Sequence, residues 1–100
     1  PGDIQVLAAL GRTHALDGRP DDARAVLARL DSLSDQRYVS PYLLAGIGEA
    51  MGDRRRAFAW LEEAVADRAG QLVYLKLDTR LDRLRGDRRF ARIARSVGLP

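Results

Sequence analysis

The residues that could do chemistry here are few, and their spacing argues against a reaction. His14 is the only histidine and there is no cysteine. A metal site or a catalytic relay at His14 would therefore need distant partners, since Asp17 is its nearest sequence acid. His14 stands on an apolar face one turn after Leu10, where a packing role is expected. Glu62, Glu63 and Asp67 look like a carboxylate group, but helical spacing sets Glu63 and Asp67 on one stripe beside Arg68, which reads as a solvated face. Gly46, Gly48 and Gly52 form a G-x-G-x-x-x-G run inside a helical pattern. They do not sit between a strand and a helix, so the context for cradling a phosphate is missing. These glycines are expected instead to let a neighbouring helix or a ligand approach closely.

The densest charge lies between Arg80 and Arg95, with seven Arg against two Asp. Nucleic-acid binding through this segment is the alternative function. The aromatic interleaving of a single-strand binder and any known reader motif are absent, which favours a solvated or acid-paired cap. Charge is uneven over the whole chain. Residues 1–50 hold five Arg and seven acids, residues 51–100 twelve basic and seven acidic residues, and the total is +3. No run approaches the 18 or so apolar residues of a membrane span, and Pro1-Gly2-Asp3 has no signal-peptide character. Without cysteine a reducing compartment is compatible, so the cytoplasm is the expected location.

Elements able to position these residues are helical. The 46% apolar content comes mainly from Ala, Leu and Val with six aromatics, suiting close-packed helices within a single domain over 1–100. Leu7, Leu10, Gly11 and His14 recur at i, i+3, i+4, i+7 and predict a helix over 4–17, stopped by Gly18-Arg19-Pro20. Ala23, Val26, Leu27 and Leu30 form the inner face of a helix over 20–33, with Asp21 and Asp22 in its first turn and Arg24 and Arg29 outward. Ser40-Pro41 opens a third helix carrying Leu43, Leu44, Ile47 and Met51 as far as Gly52. Asp53 opens a fourth with Ala57, Leu61, Ala64 and Val65 inward, flanked by Phe58 and Trp60 and ended by Gly70.

An offset of 34 residues aligns Leu10 with Leu44, Gly18 with Gly52, Ala23 with Ala57 and Leu27 with Leu61. Closely packed helices need small residues, and Gly11 or Ala45 facing Ala23 or Ala57 is expected to supply them. Residues 71–100 break the period. They hold Leu72-Val73-Tyr74-Leu75, a segment from Arg80 to Arg85, and an Asp87-capped helix with Phe90, Ile93, Ala94 and Val97, stopped by Gly98-Leu99-Pro100. This is expected to be a solenoid cap.

At Leu10, Gly11, Gly18, Ala23, Leu44, Gly52, Ala57 and Ala64 the chain resembles the tetratricopeptide repeat family. The resemblance implies an all-α solenoid of antiparallel helix pairs, with units over 4–35 and 38–69 and a cap over 71–100. Tyr38-Val-Ser-Pro-Tyr42, Ala57-Phe-Ala-Trp-Leu61 and the tail from Leu75 are similar to C-terminal repeat segments of bacterial multidomain regulators. Gly48 stands where that family usually has Tyr, and Thr79, Arg83 and Arg88 where its tail often has Pro. The resemblance implies a non-catalytic protein-interaction module, regulatory or scaffolding, with no cofactor. Its groove maps onto Gln5, Ala8, Arg12, Ala15 and Leu16, then Val39, Tyr42, Gly46, Glu49 and Ala50. Arg12, Tyr42 and Glu49 are its expected anchors for a protein partner or another domain of the parent chain. The Lys and Asn set that clamps C-terminal carboxylates in some relatives is absent. Two units fall short of the usual three, so the edge at the first helix is expected to be completed by upstream repeats or by self-association into a homodimer.

Overall fold

Local signals decide where each helix begins. The structure, a computed structural model, describes residues 3–98 apart from the side chain of Gln71. Five α-helices follow in order: α1 (Ile4–Leu16), α2 (Pro20–Ser34), α3 (Pro41–Met51), α4 (Arg54–Ala66) and α5 (Arg88–Ser96). Two 3₁₀ segments, Gly70–Tyr74 and Thr79–Leu84, lie between α4 and α5. Asp3, Ser40, Asp53 and Asp87 cap α1, α3, α4 and α5 by accepting backbone N–H bonds from the first turn. At α2 there is no side-chain cap, and Pro20 in the first turn removes one donor that would need it.

The 34-residue offset has a physical counterpart. Gly18 and Gly52 end α1 and α3 with φ of 74° and 75°, a left-handed turn that glycine adopts without penalty. Ala23 and Ala57 are both fully buried, and Leu27 and Leu61 both face the core. Leu10 departs from its expected packing role and is 45% exposed, on a helix that packs mainly against α2 and α3. Leu44 is half-buried.

Two of the glycines expected to permit close approach, Gly11 and Gly48, do so, whereas Gly46 and Gly52 have nothing within 4 Å of an added Cβ. A Cβ on Gly11 would lie 2.9 Å from Val26 Cγ1 and 3.1 Å from Ile47 Cδ1, so Gly11 faces α2 and α3 at once and not Ala23. Gly48 meets Ala57, whose Cα would be 3.2 Å from an added Cβ, and Ala45 is buried in the same apolar cluster as Ala57. Helix α4 also ends sooner than the glycine signal suggests. Its last residue is Ala66, and Arg68, not Gly70, takes the left-handed turn at φ 54°.

Two apolar clusters result. One joins α1, α2 and α3 through Ala8, Val26, Leu27, Leu30, Val39, Leu43 and Ile47. The other starts at Tyr42 and Ala45 on α3, takes in Ala57, Phe58, Leu61 and Ala64 of α4, and ends at Phe90, Ile93 and Ala94 of α5. The tail is therefore part of the core. Its run Leu72-Val73-Tyr74-Leu75 divides by the three-residue period of its 3₁₀ segment: Leu72 and Leu75 are buried, Val73 and Tyr74 exposed. Gly98 closes α5 with φ 77°, while Leu99 and Pro100, like Pro1 and Gly2, lie outside the described residues.

Candidate binding groove

The groove expected along α1 and α3 is divided by the tail. On the α3 half, Val39, Tyr42, Gly46, Glu49 and Ala50 are all buried, and Tyr42 and Glu49 face the chain's own residues 78–83. The Tyr42 hydroxyl donates to Asp78 Oδ2 at 2.7 Å. Asp78 also accepts from the Arg80 backbone N–H at 3.0 Å and from Arg80 Nε and Nη2 at 2.9 and 2.6 Å. The Arg80 guanidinium in turn lies 5.8 Å from the centre of the Tyr42 ring.

One carboxylate thus caps a 3₁₀ segment, fixes an arginine and anchors a buried phenol. Burial by itself would raise the Asp78 pKa, but the Arg80 and Tyr42 hydrogen bonds outweigh it and hold the group at about 2. The same surroundings push the Tyr42 hydroxyl well above its ordinary value, chiefly through burial and then through Asp78. Glu49 completes the seam. Its Oε2 accepts the Arg83 backbone N–H at 3.0 Å, while Oε1 is buried without a hydrogen bond.

The α1 half remains open. Gln5 and Leu16 are exposed, Ala8 is buried, and Arg12 and Ala15 are half-buried. A cleft of about 270 Å³ lies between α1 and α3, lined by Gln5, Ala8, Arg12, Thr13, Gly46 and Arg80 among others. Arg12 has a buried Nε with no hydrogen-bond partner. A desolvated guanidinium N–H left unmatched favours a carboxylate brought by something else. The structure thus brings Gln5, Ala8, Arg12 and Gly46 to one open cleft, sets Tyr42 and Glu49 in the interior and places Val39 on a different cleft, beside α2 and α4.

Asp78 and Arg80 carry the seam, yet neither figures in a reading of the groove from helix positions alone. Their spacing does not single them out, since Asp-x-Arg also occurs at 17/19, 22/24, 35/37 and 53/55 without this pairing among the described residues. Asp78-Thr79-Arg80 and Asp87-Arg88-Arg89 share an Asp-x-Arg spacing, and both fold alike. Asp87 accepts from the Arg89 N–H and guanidinium at 2.9 to 3.1 Å, and Arg89 lies 4.3 Å over the Phe58 ring. The Arg89 hydrogen bonds hold Asp87 at about 2 as well. Each unit so clamps an arginine onto an aromatic ring of an earlier helix.

Other residues of interest fall elsewhere. His14 is half-buried in the last turn of α1 with no ion pair among the described residues. Asp67 accepts from the Tyr38 hydroxyl at 3.2 Å, and Glu62 and Glu63 are exposed. Arg80, Arg85 and Arg89 pair with Asp78, Asp82 and Asp87, whereas Arg88, Arg92 and Arg95 are exposed without ion pairs among the described residues. Among the described residues no cluster of three His, Cys, Asp or Glu side chains is placed to hold a metal ion, and no helix is long and apolar enough to cross a membrane. No family model, curated protein or solved structure matches the chain.

Proposed function

We propose that the chain is a non-catalytic protein-interaction module, built as two tetratricopeptide-like helix pairs closed at one end by the tail and open at the other along α1. The observation that carries this reading is the uncovered side of α1, where Val6, Leu10 and Leu16 are 63%, 45% and 46% exposed. A stacked helix pair buries its apolar face against the next pair, and an end pair left apolar invites a neighbour. The tail covers α3 and α4, while α1 has no equivalent cover. A protein segment, or another domain of a larger bacterial regulator or scaffold, completes this edge. Its apolar side chains meet Val6 and Leu10, and a carboxylate reaches Arg12 from the α3 side of α1, where a separate cleft opens. Self-association is the second reading, favoured by the same exposed stripe, since two copies facing through α1 make a self-complementary contact.

Val6→Ser with Leu10→Ser separates partner contact from folding. Both side chains are exposed, so the thermal midpoint changes little, within roughly 0.5 kcal/mol of stability. Recovery of the partner with the tagged chain, or sedimentation as a dimer, is expected to fall sharply. A large drop in midpoint would assign these residues to the chain's own core and remove the reading.

A further inference from the structure

A cleft of about 780 Å³ lies away from the α1 groove, between α2 and α4, on a floor that includes Val39, Pro41 and Leu44. Its walls are charged, and the charge is sorted by end. Arg24 and Arg56 stand on the N-terminal halves of α2 and α4; Asp31, Glu63 and Asp67 stand toward their C-terminal ends. The two helices point the same way, because short turns reverse the chain between each successive pair. The Tyr38 to Asp67 hydrogen bond ties the end of α2 to the end of α4. Only Arg24 is neutralised on its own helix, by Asp21. Arg56 lies 4.7 Å over the ring of Trp60, on the cleft wall.

A second observation singles out α4. Its first turn holds Arg54, Arg55 and Arg56 behind the capping Asp53, and its C-terminal half holds Glu62 and Glu63 and no base. A helix arranged for its own stability has the opposite order, acids at the positive N-terminus and bases at the negative C-terminus. Arg54 is engaged by Asp87 at 3.7 Å, yet Arg55, Arg56 and Glu63 have no ion pair among the described residues. Arg54 and Arg56 have partners within the chain in Asp87 and the Trp60 ring, so the reversed order that no ion pair among the described residues offsets is that of Arg55 and Glu63.

We propose that the α2/α4 cleft docks one amphipathic helix of a protein partner, acidic in its N-terminal half and basic in its C-terminal half, lying parallel to α4. A helix is about 10 to 12 Å across with its side chains and seats its apolar stripe on the floor of such a cleft. In this orientation its acids meet Arg24 and Arg56, and its bases meet Asp31, Glu63 and Asp67. Full side-chain charges outweigh the half charge of each helix end, so they set the direction. The partner's charges follow its own dipole, so it is a stable helix before it binds. The inverted order on α4 is what makes such an ordinary helix complementary when parallel. This surface is separate from the α1 edge and does not depend on it.

Trp60 is the only tryptophan and reports on the cleft directly. Two synthetic helical peptides of equal composition are titrated in, each with leucines at i, i+4 and i+7. One has Glu in its first half and Arg in its second, and the other has the halves exchanged. The first is expected to shift Trp60 emission and bind roughly tenfold tighter or better. Arg56→Glu combined with Glu63→Arg, both exposed, is expected to invert the preference. Equal binding of the two peptides, no binding by either, or a preference that survives the exchange would overturn the proposal. Trp60 emission that changes with protein concentration alone would do so too, giving the cleft to a second copy.

Discussion

Asp78 shows how much one side chain carries. It caps the second 3₁₀ segment, holds Arg80 over Tyr42 and takes the Tyr42 hydroxyl, joining the tail to α3. Asp78→Ala leaves a buried phenol and an arginine unmatched and is expected to lower stability by about 1–3 kcal/mol in chemical denaturation. The pH dependence has a definite sign. The folded-state pKa of about 2 lies below the ordinary 3.8, so the contribution is complete above that ordinary value and is lost as pH falls through about 2. The gap in thermal midpoint between the two proteins therefore narrows from pH 5 toward pH 2. Asp87 titrates in both proteins and does not affect this gap. Glycines give a second test at the same scale. Gly46 has nothing within 4 Å of an added Cβ, so Gly46→Ala is expected to raise stability by up to about 1 kcal/mol through helix propensity. Gly48→Ala meets the Ala57 backbone and the Trp60 ring, and is expected to lower it by about 1 kcal/mol. Matching thermal shifts for the two would contradict the α3/α4 contact.

Among the described helices, α4 carries side-chain charges that oppose its own dipole at both ends. Arg55→Glu, at an exposed first-turn position, is expected to stabilise the protein by about 0.3–1 kcal/mol at low ionic strength, with the gain shrinking as salt is added. Unchanged stability at low salt would mean that the charge order has no energetic cost to explain. Element boundaries were legible in the sequence where one residue type settles them: Ser40-Pro41 and Asp53 at starts, Gly18 and Gly52 at stops. The end of α4 was hidden because an arginine, Arg68, adopts the left-handed turn, and no residue-type rule points to it. The exposure of Leu10 escapes the sequence for a related reason. Periodicity marks an apolar stripe on α1 but does not say how much of that stripe finds a neighbour. Leu72-Val73-Tyr74-Leu75 reads as one apolar block until its 3₁₀ period separates buried from exposed positions.

For the whole molecule the decisive feature is the tail's return over α3 and α4. The described chain measures 38 × 30 × 19 Å, and the larger apolar cluster runs from Tyr42 to Ala94. Of the α1 positions that the family resemblance implies for a groove, Gln5, Ala8 and Arg12 line a cleft. It implies Tyr42 and Glu49 on α3 as well, but their exposure depends on a segment some 30 residues further along, which no local pattern records. What stays open is the α1 edge, and the account rests on it. Site-specific photo-crosslinking tests it most directly, with a photoreactive side chain at position 10 on α1 or, as a control, at position 92 on α5. In the native cell, position 10 is expected to yield a discrete protein adduct that Arg12→Ala diminishes, and position 92 is expected to yield none. No adduct at position 10, or the same products from both positions, would contradict α1 as the docking edge.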